Sequence, residues 1–336
     1  MTAKKKHILV LRFSALGDVA MTLPVIYSAA AAYPEIKFTV VTRPFFARLF
    51  IAPPPNVNVY PVDPKKYTGI SGVTRLAREL GRLRPTAVAD LHNVLRTWLI
   101  DSYFRMRNVR VVMVNKKRAG RRTALRSREN QENFISRYVN VFKRLGLDFD
   151  LTFRSLKLPS ASLPLKIEQP AVGVAPFARY YTKTYPPEMM RRVVEKLCEK
   201  GVNVYLYGGR GKEAEILKGW SEATEGCHSV AGEFAIEDEL ALMSQMKAMV
   251  SMDSANQHLA SLAGATVITI WGATTPECGF TPYRQDSAGW LQLIPAPKCQ
   301  PCSVAGTPKC PRGNLKCMYG MTSDFIASEI MKKIDK

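Results

Sequence analysis

Apolar positions along this chain come in two alternating kinds of segment. Short continuous runs rich in β-branched residues read as strands buried on both faces, and 3.6-periodic stretches read as helices. The first run is His7 to Phe13. It breaks at Ser14-Ala15-Leu16-Gly17-Asp18, and an Ala-rich helix follows, ending near Tyr33-Pro34. Further strands are expected at Lys37–Thr42, Val57–Val62, Thr86–Leu91 and Val109–Val114, with helices at Val73–Leu83 and Glu132–Leu145. Alternation of this kind predicts a doubly wound parallel sheet. Between Leu151 and Pro170 the periodicity fails, and Pro159, Pro164 and Pro170 punctuate the stretch.

The pattern then restarts, with strands at Ala171–Ala175, Val202–Tyr207, Ala248–Ser251 and Thr266–Trp271. Helices are expected at Pro187–Lys200, Lys212–Trp220, Glu237–Met246 and Ser254–Ala263, and a closing helix at Thr322–Lys333. The expected organisation is an α/β chain of two Rossmann-like, doubly wound domains facing each other across a cleft. Residues 1–160 form the first, 161–170 a linker, 171–320 the second, and 321–336 the closing helix. A length of 336 residues suits two domains.

Composition excludes some classes. No apolar run approaches the ~20 residues of a membrane-spanning helix. The amino terminus resembles a signal peptide only briefly, because Arg12 and Asp18 interrupt its apolar core; it reads as a strand of the mature protein. Seven cysteines, an odd number, fit a reduced, cytoplasmic compartment. The net charge of +20 is unevenly placed: residues 1–165 hold 29 Lys/Arg against 10 Asp/Glu, residues 166–336 hold 19 against 18. Arg105 to Arg128 carries ten basic residues and no acid. Such a field attracts polyanions or an anionic membrane surface, or it is simply a solvated, solubilising face.

Candidate chemistry sits where strands end and helices begin, the place open α/β sheets use for ligands. Asp18 follows Gly17 in the first turn and reads either as a helix N-cap or as a reactive carboxylate. Lys183 precedes a helix opening on Pro186-Pro187, a potential anion site or a solvated surface charge. YGGRGKEAE, Tyr207 to Glu215, lacks the G-x-G-x-x-G spacing, which argues against a dinucleotide cofactor. Its Glu213 would accept hydrogen bonds from a ribose or sit favourably against a helix dipole. In SMDSANQHLASLAG, Asp253 and Ser254 open a helix whose first amides, those of Ser254, Ala255 and Asn256, would point at an anion. His258 lies on the face of Ser254; the simpler alternative is an Asp cap followed by a core histidine. Cys299-x2-Cys302-x7-Cys310-x6-Cys317 begins like half a zinc site, but its second pair is too widely spaced, which favours a metal-free structural loop.

Together, FSALGDVAMTLP, TKTYPPE, the glycine turn with Glu213, DSANQHLASLAG and WGATTPE resemble the bacterial lipopolysaccharide heptosyltransferases of glycosyltransferase family 9. The resemblance runs nearly the whole length, with the motifs in the family's order. It implies the GT-B fold and inverting, metal-independent transfer of a heptose, or a related sugar, without a cofactor. The implied donor is a nucleotide-diphosphate sugar such as ADP-heptose, and the implied acceptor is the Kdo–lipid A type inner core at the cytoplasmic leaflet of the inner membrane. On this resemblance Asp18 matches the base, Lys183 the lysine of the diphosphate, Glu213 the acid near the ribose, and Asp253, Ser254 and His258 the D-[ST]-x-x-x-H donor site. The chain departs from the pattern at Ala255, Ala273 and Thr275. Lys116, Lys117, Arg118, Arg121 and Arg122 are expected to hold the anionic acceptor and membrane surface. Two rivals remain: a GT-B enzyme of other chemistry, such as an epimerase, and a non-catalytic polyanion binder. Nucleic acid is not expected, because clustered base-stacking aromatics are missing.

Overall fold

The computed structural model describes residues 6–116, 125, 130–158 and 165–335. The chain divides into two compact units, one of residues 1–118 and 134–154, the other of 119–133 and 155–336. The second unit thus takes in a segment from upstream, 119–133, that lies between the two stretches of the first. Gln131 donates its amide to the Glu277 carbonyl (2.8 Å), and the Asn133 amide donates to Thr281 Oγ1 (2.7 Å). Gly279 has φ +86°, and a Cβ there would stand 2.8 Å from the Glu132 carbonyl oxygen, so glycine is what lets this segment approach.

The first unit holds β1 (His7–Leu11), β2 (Lys37–Thr42), β3 (Val57–Pro61), β4 (Ala87–Asp90) and β5 (Arg110–Met113). They are all parallel, in the order β3-β2-β1-β4-β5. Every residue of β1 is buried, as a central strand covered on both faces must be. Its polar end is satisfied locally: His7 Nε2 meets Thr39 Oγ1 at 2.8 Å and Nδ1 meets the Leu83 carbonyl at 3.1 Å. Leu11 stands in register with Val41 on one side and Asp90 on the other. The order reverses between β1 and β4, which opens a crevice at their carboxyl ends.

The second unit repeats the plan with β6 (Ala171–Ala175), β7 (Asn203–Leu206), β8 (Cys227–Ser229), β9 (Ala248–Met252), β10 (Val267–Ile270) and β11 (Trp290–Leu291). Their order, β11-β10-β9-β6-β7-β8, is that of the first sheet with one strand added, and the reversal falls between β6 and β9. Val172, Val174, Val250 and Ile270 pack with Val194 and Leu197 of the helix Pro187–Cys198 and with Ile326 and Ile330 of the helix Ser323–Ile334. That last helix is capped by Thr322, whose Oγ1 accepts from the Phe325 amide at 3.2 Å.

Several elements differ from the sequence reading. The first helix is two, Leu16–Ala20 and Leu23–Ala32. Thr22 Oγ1 donates to the Val19 carbonyl (2.7 Å), and Pro24 has no amide to continue the first helix. The helix Leu95–Arg105 escapes the periodic pattern because it is partly inverted: Leu95 is 71% exposed and Asp101 fully buried. β8 and β11 are too short to register as apolar runs. No helix among the described residues is long and apolar enough to cross a membrane.

Candidate active site

In the first unit the crevice is built around a buried cation. Arg12 follows β1, and its Nη2 pairs with Asp18 Oδ2 at 2.7 Å while Nη1 donates to the Leu91 carbonyl at 2.6 Å. Burial opposes the guanidinium's charge, but Tyr138, Asp18 and Asp90 outweigh it and hold the group above the usual arginine value. Asp18 is the third residue of its helix, not the cap; Ala15 holds that position. The carboxylate folds back to accept the Ala15 amide at 3.1 Å, again on Oδ2. Among the described residues Oδ1 has no hydrogen-bond partner, and the side chain is 27% exposed. Asp18 is therefore held through one oxygen and open through the other.

The loop after β4 forms the opposite wall. Asp90 Oδ1 accepts the amides of His92 and Asn93, both at 2.8 Å, and His92 Nε2 meets Ser14 Oγ at 3.2 Å. Burial, then the charges of Arg12 and Lys116, push the imidazole down to about 3, so it is neutral at ordinary pH. Asp101, fully buried on the helix Leu95–Arg105, feels the charge of Asp90. Burial, followed by the Asp90 charge, pushes Asp101 up to about 8, against the pull of Arg105.

In the second unit Lys183 ends a one-turn 3-10 helix, Tyr181–Lys183, after β6. Its Nζ lies 2.8 Å from Asp253 Oδ2 at the end of β9. Thr274 Oγ1 donates to the same oxygen (2.6 Å), and the Gln257 amide donates to Oδ1 (3.0 Å). Asp253 is 5% exposed with both oxygens engaged, so it serves as a fixed partner for the lysine.

Ser254, not Asp253, caps the helix Ala255–Ala263, and its Oγ accepts the Asn256 amide at 3.3 Å. Of the three amides expected to face an anion, that of Asn256 is thus already taken. Those of Ser254 and Ala255 donate no hydrogen bond among the described residues. His258 is buried on the same helix. Glu213, in the first turn of the helix Lys212–Ala223, accepts the Gly209 amide at 2.7 Å. Nearby Glu239 was not foreseen; burial pushes its carboxyl up to about 7, with Arg210 opposing.

Of the basic residues singled out in the sequence, Lys116 is half-buried and its carbonyl accepts from Arg137 (3.2 Å). Lys117, Arg118, Arg121 and Arg122 lie outside the described residues. Cys299, Cys302 and Cys310 are half-buried and Cys317 buried, all as free thiols. Burial and the other three thiols push Cys317 up to about 12. Among the described residues no group of three or more His, Cys, Asp or Glu side chains is placed to hold a metal ion.

Arg12, Asp90, His92 and Asp101 were missed as site residues. Only Arg12 left a local signal, a charge inside an apolar run.

Two parallel Rossmann-like sheets, each with its polar residues gathered where the strand order reverses, make this an α/β protein of the GT-B class. Solved structures match it end to end. Glycosyltransferase family 9 from Veillonella parvula DSM 2008 has a TM-score of 0.78 at 19% identity, over 99% of this chain and 98% of that one. The E. coli ADP-heptose lps heptosyltransferase II has 0.73 at 19%, over 98% of each. E. coli heptosyltransferase WaaC, solved with ADP-2-deoxy-2-fluoro heptose, has 0.67 at 18%, over 97% of this chain and 99% of that one. The sequence profile of glycosyltransferase family 9 (heptosyltransferase) matches residues 73–309, and the chain belongs to that family. Lipopolysaccharide heptosyltransferase 3 of E. coli is 23% identical over 278 residues, 77% of this chain and 81% of the relative. Lipopolysaccharide heptosyltransferase 2 of Salmonella typhimurium is 30% identical over 142 residues, 41% of this chain and 40% of the relative. The protein is a glycosyltransferase.

Proposed function

We propose that this enzyme moves a heptose from ADP-heptose to a phosphorylated inner-core acceptor of lipopolysaccharide, of the Kdo–lipid A type, with inversion and without a metal. The observation that carries the chemistry is the half-engaged carboxylate of Asp18, pinned at Oδ2 and open at Oδ1. Asp18 takes the proton of the acceptor hydroxyl as that oxygen forms its bond to the anomeric carbon. The bond from the anomeric carbon to the diphosphate breaks, and the diphosphate leaves with the electron pair. Lys183 and the open amides of Ser254 and Ala255 receive that charge, the electrostatic work that a metal does elsewhere. An ammonium has three donors, so Lys183 keeps Asp253 and still reaches a phosphate. Glu213 and His258 belong to the donor side, Glu213 beside the ribose.

The relatives' names support the donor and acceptor classes. The excess of basic residues in the first half supports an anionic acceptor presented at the cytoplasmic leaflet, with Lys116, Lys117, Arg118, Arg121 and Arg122 holding it and the enzyme peripheral to the membrane. The test is mass spectrometry of Kdo–lipid A after incubation with the enzyme, ADP-heptose and a chelator. A gain of one heptose that is lost in Asp18→Asn is expected. No gain with the wild type directs the search to other nucleotide sugars and acceptors.

A further inference from the structure

The second unit contains a cavity of about 210 Å³ that none of the roles above uses. Its walls include Gln131, Thr275, Glu277, Gln292, Gln300 and Pro301. Gln300 is 3% exposed, and both its amide oxygen and its amide nitrogen lack a hydrogen-bond partner. A buried amide with neither atom satisfied is costly, because each group has given up its hydrogen bonds to water without replacement. Such a cost marks a place where a ligand completes the bonding.

The chemistry of the walls narrows the ligand. No lysine, arginine or histidine lines the cavity among the described residues, and Glu277 would repel an anion. Three carboxamides, a threonine hydroxyl and a carboxylate can each donate to or accept from a hydroxyl, and Ala296, Pro301 and Val304 supply apolar surface. Amides paired with apolar surface suit a molecule bearing hydroxyls on its edge and C–H groups on its faces. Allowing roughly 30 Å³ per water, the space holds about seven waters, enough for one sugar ring and too little for a nucleotide.

Position agrees with chemistry. Thr275 in the cavity wall directly follows Thr274, whose hydroxyl is bonded to Asp253, the partner of Lys183. A single backbone step therefore separates the cavity from the proposed diphosphate site. The segment 130–133, held against Glu277 and Thr281, keeps Gln131 in the wall.

We infer that this cavity is a pyranose subsite in which the Gln300 carboxamide hydrogen-bonds the hydroxyls of one uncharged sugar ring. The identity of that sugar rests on the proposed transfer reaction; the existence of the subsite does not. Gln300→Leu keeps the size and removes the unpaired atoms. Calorimetric titrations of the full-length wild type and variant with ADP, ADP-heptose and deacylated inner-core saccharide are paired with a melting curve. The variant is expected to bind ADP within twofold of wild type, to bind ADP-heptose at least tenfold more weakly, and to melt at an equal or higher temperature. That pattern assigns the ring to the donor. A tenfold loss confined to the inner-core saccharide assigns it to the acceptor. Equal binding of both sugars by variant and wild type overturns the subsite, as does a lowered melting temperature with ADP binding lost in parallel, the mark of a merely structural glutamine. A wild type that ignores both ADP-heptose and the saccharide defeats the proposed reaction instead. The subsite is then judged by saturation-transfer NMR with free heptose, glucose and galactose. Signals in the wild type that vanish in Gln300→Leu support it; no wild-type signal, or one the variant keeps, overturns it.

Discussion

The two units share a strand order and place a cation–carboxylate pair at the same topological position, yet the pairs are opposite in use. In the first, Arg12 is sealed in and Asp18 is 27% exposed with one oxygen open. In the second, Asp253 is 5% exposed with both oxygens engaged, and the lysine is the member left with spare donors. The fold decides where polar residues converge. Which group of a pair can act is decided by how completely its partners have satisfied it. An acid tied by three donors positions its neighbour, and an acid tied through one atom can accept a proton.

The sharpest break of this contrast is Asp18→Asn. It should lower kcat by about 10²–10⁴-fold while leaving the donor KM within about twofold, read from steady-state kinetics. Lys183→Ala should act on the other side of the contrast: donor affinity falls roughly 10–100-fold, the worth of one charge-assisted hydrogen bond. It should also cost about 3 kcal/mol in denaturant unfolding, because Asp253 is left buried without its cation.

A pH series sharpens the account of the first unit. An unfolded aspartate titrates near 4, whereas Asp101 in the fold sits at about 8. Between those values the native state binds the extra proton, so its stability falls as pH rises. Melting temperatures of Asp101→Asn from pH 4 to 8 should lack that part of the decline. The smallest effect expected is from Ser254→Ala, a loss of about 1 kcal/mol as the helix cap disappears, measured by chemical unfolding.

The central strands were legible because strands buried on both faces read as uninterrupted apolar runs, as HILVL does at β1. The helix Leu95–Arg105 was not, since its first residue points to solvent and Asp101 points inward, against the rule the pattern relies on. Asp18, Lys183, Glu213, Asp253 and Ser254 were visible as polar residues at strand-to-helix turns. Their exact duties were not. Asp253 read either as part of an anion site or as a cap; Lys183, far upstream, claims its carboxylate, which leaves capping to Ser254. The raised Asp101 carboxyl and the unsatisfied Gln300 depend on burial by distant segments and leave no local trace.

The short segment at 130–133 has a practical corollary for anyone wishing to cut the molecule in two. A fragment beginning at residue 155 would retain all six strands of its sheet yet lose the donors that reach Glu277 and Thr281, together with one wall of the cavity. The second unit is discontinuous along the chain. Dissecting or transplanting it calls for rejoining that upstream stretch through an artificial loop, and simple truncation would yield a sheet without one wall of its cavity.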